Sequence, residues 1–483
     1  MLMSKYSSTP AKSGGWGELL SGKNGLRTIA LCGGVAVHAI NVYIVTTIMP
    51  SVVRDIGGIH YYAWITSLFV AASIIGSTLS VRLIEQLGLR NGYLLGIFIF
   101  ILGSSFAAMA PTMPFLLCGR AIQGLGGGVM LGFSYASIRL VFATHLWPRA
   151  MALISTMWGV STLTGPAVGG LFAEHGVWRM ALWSTVPVAL IVAFLVFTQV
   201  PQRKAATQVA GKSDVPIVKI LLLSFSVIIL SLGSLGDSWL IRIASLTGVA
   251  LILYAIGRSD LKSTNPLFPT GLYSLKHPVG ALFAGVVMLS MGVTTEVFIP
   301  YFLENIHGLR PLLAGYMAAL MSAGWTVGSL ITAGKSPQTV NKIMVFSPLL
   351  SGACLLSLGL LMPWQELSTV MDAIWVMAIP LLGIGLGVGM SWPHILSRIL
   401  VAADKGQENQ TSSAITTVQL YAVSLGTALG GMIVAVAGFK RGDLVGTQSA
   451  AAALLISFAI LPFVFVLISK AARTLVLDEN KQK

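Results

Sequence analysis

Runs of about twenty apolar residues recur along the whole chain, separated by short polar connectors. A helix of that length crosses the hydrocarbon core of a bilayer, because it rises about 1.5 Å per residue. Such runs lie near 27–50, 61–83, 92–110, 115–141, 150–173, 182–200, 217–236, 239–257, 279–303, 312–333, 342–362, 373–397, 412–438 and 449–469. The sequence therefore predicts an all-α polytopic membrane protein with 14 transmembrane helices.

The composition excludes a single soluble core. Of the 483 residues, 55% are hydrophobic and 10% are charged, whereas ordinary soluble domains are about 25% charged. The net charge is +14, but the basic residues are scattered through connectors, so we predict no nucleic-acid partner. The sequence has no phosphate-binding loop, metal-ligand spacing or catalytic constellation. We therefore expect no cofactor, no metal and no enzymatic activity.

The distribution of Lys and Arg indicates the orientation, because these residues stay on the cytoplasmic side. With the N-terminus inside, 22 of the 30 Lys and Arg residues fall in cytoplasmic segments, and Arg120 and Arg139 fall inside spans. The external ones are Arg54, Arg179, Arg242, Arg310, Lys440 and Arg441. Both termini are therefore predicted to be cytoplasmic. We expect a multi-pass monomer in contact with membrane lipid, located in a cell membrane such as the bacterial inner membrane.

The two longest polar connectors predict the domain organisation. They bracket a pair of spans, so the chain divides into a cytoplasmic N-terminus (1–26), a six-helix half (27–200), a linker (201–216), a transmembrane hairpin (217–257), a second linker (258–278), another six-helix half (279–469) and a cytoplasmic tail (470–483). Two six-span halves are typical of transporters built from repeats, whose site lies between the halves near the membrane midplane.

Several stretches resemble the motifs of one family. The stretch "LLCGRAIQGLGGG" (116–128) matches the fourth-span signature of the major facilitator superfamily, and "GVSTLTGPAVGG" (159–170) resembles that superfamily's antiporter signature. The connector "VRLIEQLGLRN" (81–91) resembles its cytoplasmic-loop motif, with departures at Val81 and Gln86. The residues that carry these likenesses are Arg120, Gln123, Gly159, Gly165, Pro166, Gly169, Gly170, Glu85, Gly88 and Arg90.

Two further stretches resemble drug:proton antiporters of that superfamily. The end of span one, "INVYIVTTIMP" (40–50), is similar to their signature, but Asn41 stands where the family has aspartate. The hairpin and "NPLFPTGLYS" (265–274) resemble the fourteen-span branch. The resemblance implies two six-helix halves with an inserted two-helix hairpin, and export of small molecules in exchange for protons by alternating access.

The motifs also have physical interpretations. Glycines at such spacing let helices approach closely, since lipid gives no hydrophobic drive for helix association. Pro166 removes a backbone donor and bends its helix. Glu85 and Arg90 lie on either side of the turn at Gly88. We predict that they form a latch, that is, a charge-assisted contact that holds the cytoplasmic ends of the helices together. Each motif has an alternative interpretation. The glycines are equally consistent with tight helix packing alone, and the charges of Glu85 and Arg90 are consistent with an ordinary solvated loop.

Arg120 lies about 9 Å below the outer membrane face by helical rise. Burying a cation there costs at least ~2.5 kcal/mol, so it should face the bundle interior and have partners, or snorkel to the surface. Of the 16 Asp and Glu residues, Glu296 in "SMGVTTEVFIPYF" (290–302) is the one well inside a span. We predict that Glu296 carries a coupled proton in a proton-coupling site that also includes Arg120, His38 and Asn41, although a structural hydrogen bond would also explain Glu296. His38, on the face of Asn41, is the alternative proton site or a helix-contact residue.

Aromatic and methionine side chains in the spans predict the substrate pocket. Such residues adapt to flat apolar compounds, although they also serve as packing or interfacial residues. The candidates, together with Gln123, are Tyr135, Trp158, Met288, Met291, Phe298, Tyr301, Trp325 and Trp392. The sequence thus favours a secondary transporter that exports lipophilic or amphiphilic compounds against proton entry. The alternatives are an exporter of an endogenous metabolite such as a siderophore or lipid, with weak or no proton coupling, and a non-transporting receptor or scaffold.

The topology is directly testable. A reporter fused after Lys483 or inserted in 201–216 should read cytoplasmic, and one inserted in 440–447 should read external, because of the Lys and Arg asymmetry. Accessibility labelling of the reporters in intact cells measures this. A C-terminal reporter that reads external would contradict the fourteen-span count.

Overall fold

The computed structural model describes residues 16–202, 216–263, 266–364, 370–404 and 407–482. All regular structure in these ranges is helical. The helices of the first part are α1 (Trp16–Leu20), α2 (Gly22–Ile56), α3 (Tyr62–Leu87), α4 (Leu89–Ala108), α5 (Met113–Val141), α6 (Trp147–Glu174), α7 (Trp178–Trp183) and α8 (Thr185–Gln199). The remaining helices are α9 (Ile217–Leu235), α10 (Trp239–Asp260), α11 (Pro278–Val293), α12 (Ile299–His307), α13 (Pro311–Thr332), α14 (Pro337–Leu361), α15 (Val370–Val401), α16 (Glu408–Val436) and α17 (Leu444–Gln482).

Proline and glycine mark the helix boundaries. Helices α11, α13 and α14 each begin at a proline, whose missing N–H costs nothing in the first turn. Gly88, with φ 79°, separates α3 from α4. Because this φ is unfavourable for residues with a Cβ, glycine permits the sharp reversal between two neighbouring helices.

Thirteen helical segments of the described residues are long and apolar enough to cross a membrane. They do not include α6, which covers the predicted span 150–173 with 28 residues. Glycine, serine and threonine dilute the apolar character of this helix. The all-helical membrane architecture is confirmed, and the count of 14 spans stays a prediction.

The structure adds local detail to two predicted segments. The predicted span 279–303 is interrupted, because a 3₁₀ turn at Thr294–Val297 separates α11 from α12. The predicted tail 470–483 is helical to Gln482, as a continuation of α17. Most of the predicted linker 201–216, and residues 1–15 of the predicted cytoplasmic N-terminus, lie outside the described residues.

The helices pack in two groups that follow the order of the chain. Helices α2 to α8 pack on one another, as do α11 to α17, and the groups meet chiefly where α6 contacts α13 and where α3 contacts α16. Glycines allow the closest approaches within the first group. A Cβ at Gly124 of α5 would overlap the backbone of Phe69 on α3, and one at Gly126 would overlap the backbone of Phe100 on α4.

The hairpin of α9 and α10 lies against both groups. Ser224 of α9 donates a hydrogen bond to the carbonyl oxygen of Ala71 on α3 (3.2 Å), and Ser226 is 2.8 Å from the hydroxyl oxygen of Tyr421 on α16. The outer helix α10 exposes most of its surface. Helix α9 thus covers the junction of α3 and α16.

A buried carboxylate attaches this hairpin to the chain that follows it. The side chain of Asp260, at the end of α10, is fully buried and accepts hydrogen bonds at both oxygens. Oδ1 accepts from Lys219 Nζ (2.5 Å) and Leu267 N (3.0 Å), and Oδ2 accepts from Phe268 N (2.9 Å) and Tyr273 Oη (2.6 Å). Asp260 therefore fixes the start of α9 and the segment 267–273 together.

Asp260→Ala should destabilise the protein by roughly 3–5 kcal/mol, because it leaves Lys219 and two backbone amides without their buried acceptor. The thermal unfolding midpoint of the purified protein measures the loss. The matched control is Asp237→Ala, since Asp237 is 91% exposed in its pair with Lys440 and should contribute little. Equal midpoints for Asp260→Ala and the wild type would contradict the role of Asp260.

Candidate functional site

Arg120 lies on α5 and is only 1% exposed. Its Nη1 donates hydrogen bonds to Asn41 Oδ1 on α2 (2.7 Å) and to the side-chain oxygen of Gln123, and its Nε donates to the carbonyl oxygen of Ile65 on α3 (3.3 Å). All three acceptors are neutral. Within the described ranges, the guanidinium is thus solvated by oxygen dipoles and forms no ion pair.

Two further contacts fix the orientation of Arg120. Its Cζ lies 4.1 Å from the ring centroid of Phe69, a cation–π distance. Gln123 donates from Nε2 to Ser104 Oγ on α4 (2.7 Å), so its amide oxygen faces Arg120. Arg120 therefore connects α2, α3, α4 and α5. Gln123, which the sequence suggested as a substrate contact, is fully buried in this network.

His38 adjoins the same network. It is 2% exposed, and its ring centroid lies 5.2 Å from that of Phe69 and 6.1 Å from that of Trp158. The imidazole shares this buried space with the Arg120 cation, which acts on it electrostatically. A second positive charge on His38 would be repelled by Arg120 and would lack water to solvate it.

Glu296 lies at the break in the helical segment between α11 and α12. Its Oε1 is buried and has no hydrogen-bond partner among the described residues. Its carboxyl group interacts with the hydroxyl of Ser322 on α13. Ser322 Oγ is in turn 2.9 Å from the hydroxyl oxygen of Tyr43 on α2. The hydroxyl groups of Tyr43 and Ser322 thus join the two helix groups beside the Glu296 carboxyl group.

The two helix groups are in close contact at the end that carries the α2–α3 connection (57–61). Tyr62 stacks on Phe298 with 5.4 Å between ring centroids and donates a hydrogen bond to the carbonyl oxygen of Val297 (3.3 Å). Arg54 Nη2 of α2 lies 2.9 Å from Glu304 Oε2 of α12. The hydrophobic cluster at the opposite end contains residues of the first group alone, within the part of the chain that the structure describes. The structure is therefore closed at the 57–61 end.

Sequence reasoning missed Tyr43, Ser322 and the Arg54–Glu304 pair. Glu304 lies just beyond the predicted span 279–303, yet only 1% of its side chain is exposed. An acid surrounded by apolar residues in "YFLENIHG" (301–308) was a signal of burial. Tyr43 and Ser322 carried no such signal, since single hydroxyl groups are common in membrane helices and their pairing depends on tertiary structure.

The predicted substrate residues do not form one cluster. In the first helix group, Trp158 lies beside His38, and Tyr135 lies beside Trp158. Trp325 and Trp392 pack on each other in the second group, with 4.8 Å between ring centroids. Three candidates are more than nine-tenths buried between the groups or within the second, namely Met291, Phe298 and Tyr301. Met288 is partly buried beside the Trp392 cluster.

The antiporter-like segment of α6 packs mostly on α2 and α13. A Cβ at Gly165 would overlap that of Tyr43, and one at Gly170 would overlap the backbone of Leu312. A Cβ at Gly169 would lie 3.0 Å from the carbonyl oxygen of Ile44. A Cβ at Gly159 would meet nothing within 4 Å. The first three glycines therefore lie at helix contacts, and Gly159 does not.

Pro166 and the loop motif also have defined positions. Pro166 lies inside α6, and a Cβ at Gly315 of α13 would lie 3.2 Å from its Cβ. Glu85 lies near the end of α3. Arg90 donates from Nη1 to the carbonyl oxygen of Phe197 on α8 (3.4 Å), with its Cζ 5.4 Å from that ring centroid. The predicted latch between Glu85 and Arg90 stays a prediction. Among the described residues, no three His, Cys, Asp or Glu side chains are grouped to hold a metal ion.

The sequence model of the Major Facilitator Superfamily matches residues 31–431. A probable multidrug-efflux transporter of Mycobacterium tuberculosis is 32% identical over 471 residues, which cover 96% of this chain and 98% of that protein. Multidrug resistance protein 3 of Bacillus subtilis is 25% identical over 414 residues, which cover 83% of this chain and 77% of that protein.

Solved structures share the fold. A mutant of the peptide transporter POT matches with a TM-score of 0.67 at 14% identity, covering 93% of this chain and 95% of that chain. A bacterial homologue of the human lysosomal transporter Spinster, in an inward-facing and occupied conformation, matches with a TM-score of 0.61 at 14% identity, covering 95% of this chain and 97% of that chain. At this identity, the likeness concerns the fold alone.

Gly165→Ala should destabilise the protein by about 1–3 kcal/mol, because the added methyl group overpacks the contact of α6 with α2. The matched control is Gly159→Ala in the same helix, which should be neutral or slightly stabilising, since alanine favours the helix and the site is open. Thermal unfolding of both purified variants measures the difference. A Gly165→Ala midpoint at or above that of Gly159→Ala would contradict this contact.

Proposed function

The chain belongs to the major facilitator superfamily of membrane transporters, and from that premise we propose that it exports lipophilic or amphiphilic small molecules in exchange for protons. The family expected from the motifs is confirmed, as is a multi-pass membrane location. The relatives are bacterial proteins named as multidrug-efflux or multidrug-resistance proteins, which supports multidrug export by this chain from the cytoplasm of a bacterial cell.

The buried carboxyl group of Glu296 is the observation that best supports proton exchange. A carboxyl group deep in a membrane span is costly unless it changes its protonation state or binds a cation. Glu296 lies at a helix break beside the interface of the two helix groups, and Oε1 has no partner among the described residues. A proton taken up from one side and released to the other as the interface reorganises is the chemistry that this position allows.

The Arg120 network is less suited to carry the proton. Asn41 does not ionise, and Gln123 binds Arg120 through a neutral amide. His38 would have to accept a positive charge beside Arg120. We therefore assign Arg120 and Asn41 a positioning role within the first helix group, and we assign proton coupling to Glu296, with His38 as the competing site.

The mechanism that we propose is alternating access, and the closure at the 57–61 end supports it. In the predicted orientation this end is extracellular, so the contacts there represent a state closed to the outside. Opening outward must separate Arg54 from Glu304 and Tyr62 from Phe298. The glycine contacts of α6 with α2 and α13 provide the sliding surface, with Pro166 inside the moving helix.

The substrate class rests on the relatives' names and on the side chains near the interface. The pairs Trp325–Trp392 and Tyr135–Trp158 provide aromatic surface in the two helix groups, and Met288 adds a flexible apolar side chain. Such surfaces bind diverse flat apolar compounds because contact area rather than fixed hydrogen bonds supplies the affinity. We also propose that the protein is a monomer, that α9 and α10 are an inserted hairpin, and that both termini lie in the cytoplasm.

The test uses purified protein in proteoliposomes with an imposed pH gradient and three probes, namely a lipophilic cation, a neutral drug and an anionic siderophore. Glu296→Gln should abolish pH-driven uphill export and retain downhill exchange, because glutamine resembles the protonated carboxyl group and cannot release a proton. His38→Asn is the matched comparison in the other helix group and should retain uphill export.

The outcomes separate the alternatives. Loss of uphill export in His38→Asn but not in Glu296→Gln would assign the proton to the histidine. Unchanged coupling in both variants would overturn proton exchange at these sites. Uphill export of the siderophore alone would identify an exporter of an endogenous metabolite, and binding without flux of any probe would identify a receptor.

A further inference from the structure

We propose that Tyr43 and Ser322 are positioning residues that connect the protonation of Glu296 to the contact between the two helix groups, and this rests on the proton exchange proposed above. Tyr43 Oη and Ser322 Oγ are 2.9 Å apart, on α2 and α13 respectively. The hydroxyl of Ser322 also interacts with the Glu296 carboxyl group. This pair of hydroxyl groups is a polar link between the helix groups that lies beside the proposed proton site.

The direction of the hydrogen bonds depends on the charge of Glu296. When Glu296 is ionised it can only accept, so Ser322 donates to it and Tyr43 donates to Ser322. Hydrogen bonds to an ionised group are stronger than those between neutral groups. When Glu296 is protonated it can donate to Ser322, and the link loses its charge assistance. The ionised state therefore holds the two groups together more firmly than the protonated state.

The surroundings of Tyr43 make this link mechanically effective. The Cβ of Tyr43 lies where a side chain at Gly165 would overlap it, so the antiporter-like segment packs against this position. One turn along α2, Thr47 donates a hydrogen bond to the carbonyl oxygen of Tyr43 (2.9 Å) and packs against Gly315 of α13. A shift in the position of Tyr43 would thus affect the packing of α2 against both α6 and α13.

Among the described residues, no other titratable group near Glu296 explains a contact between the helix groups that depends on protonation. The turn with Glu296 packs on α11, α12, α13, α16 and α17. Helix α11 has no titratable side chain, and the described side chains of α17 include none. The titratable side chains described on the other three are Tyr301, Glu304, His307, Tyr316 and Tyr421. Glu304 pairs with Arg54, His307 bonds to the carbonyl oxygen of Met362, Tyr421 bonds to Ser226, and Tyr316 is exposed.

The link has a specific task in an exchanger. If the empty, ionised transporter reoriented freely, it would bind a proton outside, return and release that proton inside, so the gradient would dissipate without export. The link between Tyr43, Ser322 and Glu296 opposes this step because it stabilises the closed, ionised state. Protonation weakens the link, and a bound substrate competes for it, so either event permits reorientation.

The experiment measures dissipation of an imposed pH gradient in substrate-free proteoliposomes with a pH-sensitive dye. Tyr43→Phe and Ser322→Ala should raise the proton leak roughly two- to tenfold, the factor that corresponds to one lost hydrogen bond, while downhill substrate exchange persists. Ser322→Thr retains the hydroxyl group and should restore the low leak. Tyr316→Phe on α13 is the matched control, since Tyr316 lies outside this link.

Combination with Glu296→Gln distinguishes the two proposals. Tyr43→Phe should add no leak in the Glu296→Gln background, because no proton is carried there. If Glu296→Gln abolishes uphill export while Tyr43→Phe and Ser322→Ala leak like the wild type, the link is overturned and proton exchange at Glu296 stands. If Glu296→Gln retains uphill export, the proposed proton site itself fails. Loss of downhill exchange together with a lower thermal midpoint in Tyr43→Phe and Ser322→Thr alike would assign both residues a purely structural role.

Discussion

The burial of Arg120, with no carboxylate partner in the part of the chain that the structure describes, is the constraint on which the first helix group depends. Hydrocarbon cannot solvate a guanidinium, so neighbouring helices must supply oxygen atoms at fixed positions. Asn41, Gln123 and the carbonyl oxygen of Ile65 provide them. Glycines of α5 bring α3 and α4 close enough for this solvation. The cation thereby specifies the relative positions of four helices.

The neutral partner of Arg120 has a chemical consequence on the other side of the interface. Asn41 does not compensate the Arg120 cation, and that charge opposes a proton on His38, the alternative to Glu296 in our proposal. The second group instead contains the Glu296 carboxyl group at a helix break, beside a pair of hydroxyl groups that reaches back to Tyr43 on α2. The positive charge that fixes one group and the proton site that we propose therefore lie in different helix groups.

The closed end and the proposed substrate surfaces follow the same division into two helix groups. Aromatic contacts and the Arg54–Glu304 pair join the groups at the 57–61 end, whereas the tryptophan surfaces lie within each group. Separation of the groups at this end would break the Arg54–Glu304 pair, the Tyr62–Phe298 stack and the apolar packing around them, whereas the Arg120 network lies within the first group. Motion of one half against the other around a site between them is what alternating access requires.

The sequence by itself determined the membrane class, the approximate helix positions, the family and the special status of Arg120 and Glu296. These features are local in the sequence. The length of an apolar run, the spacing of a motif and the presence of an ionisable group inside an apolar run can each be seen without knowing which helices are neighbours. The tertiary structure alone decided that Arg120 binds Asn41 rather than an acid, that Gly159 lies in open space and that Glu304 is buried. It also placed Tyr43 against Ser322, 279 positions away in the chain. Such pairings depend on how helices rotate and cross, and a helix that is apolar on nearly every face carries too weak a periodic signal to fix its rotation.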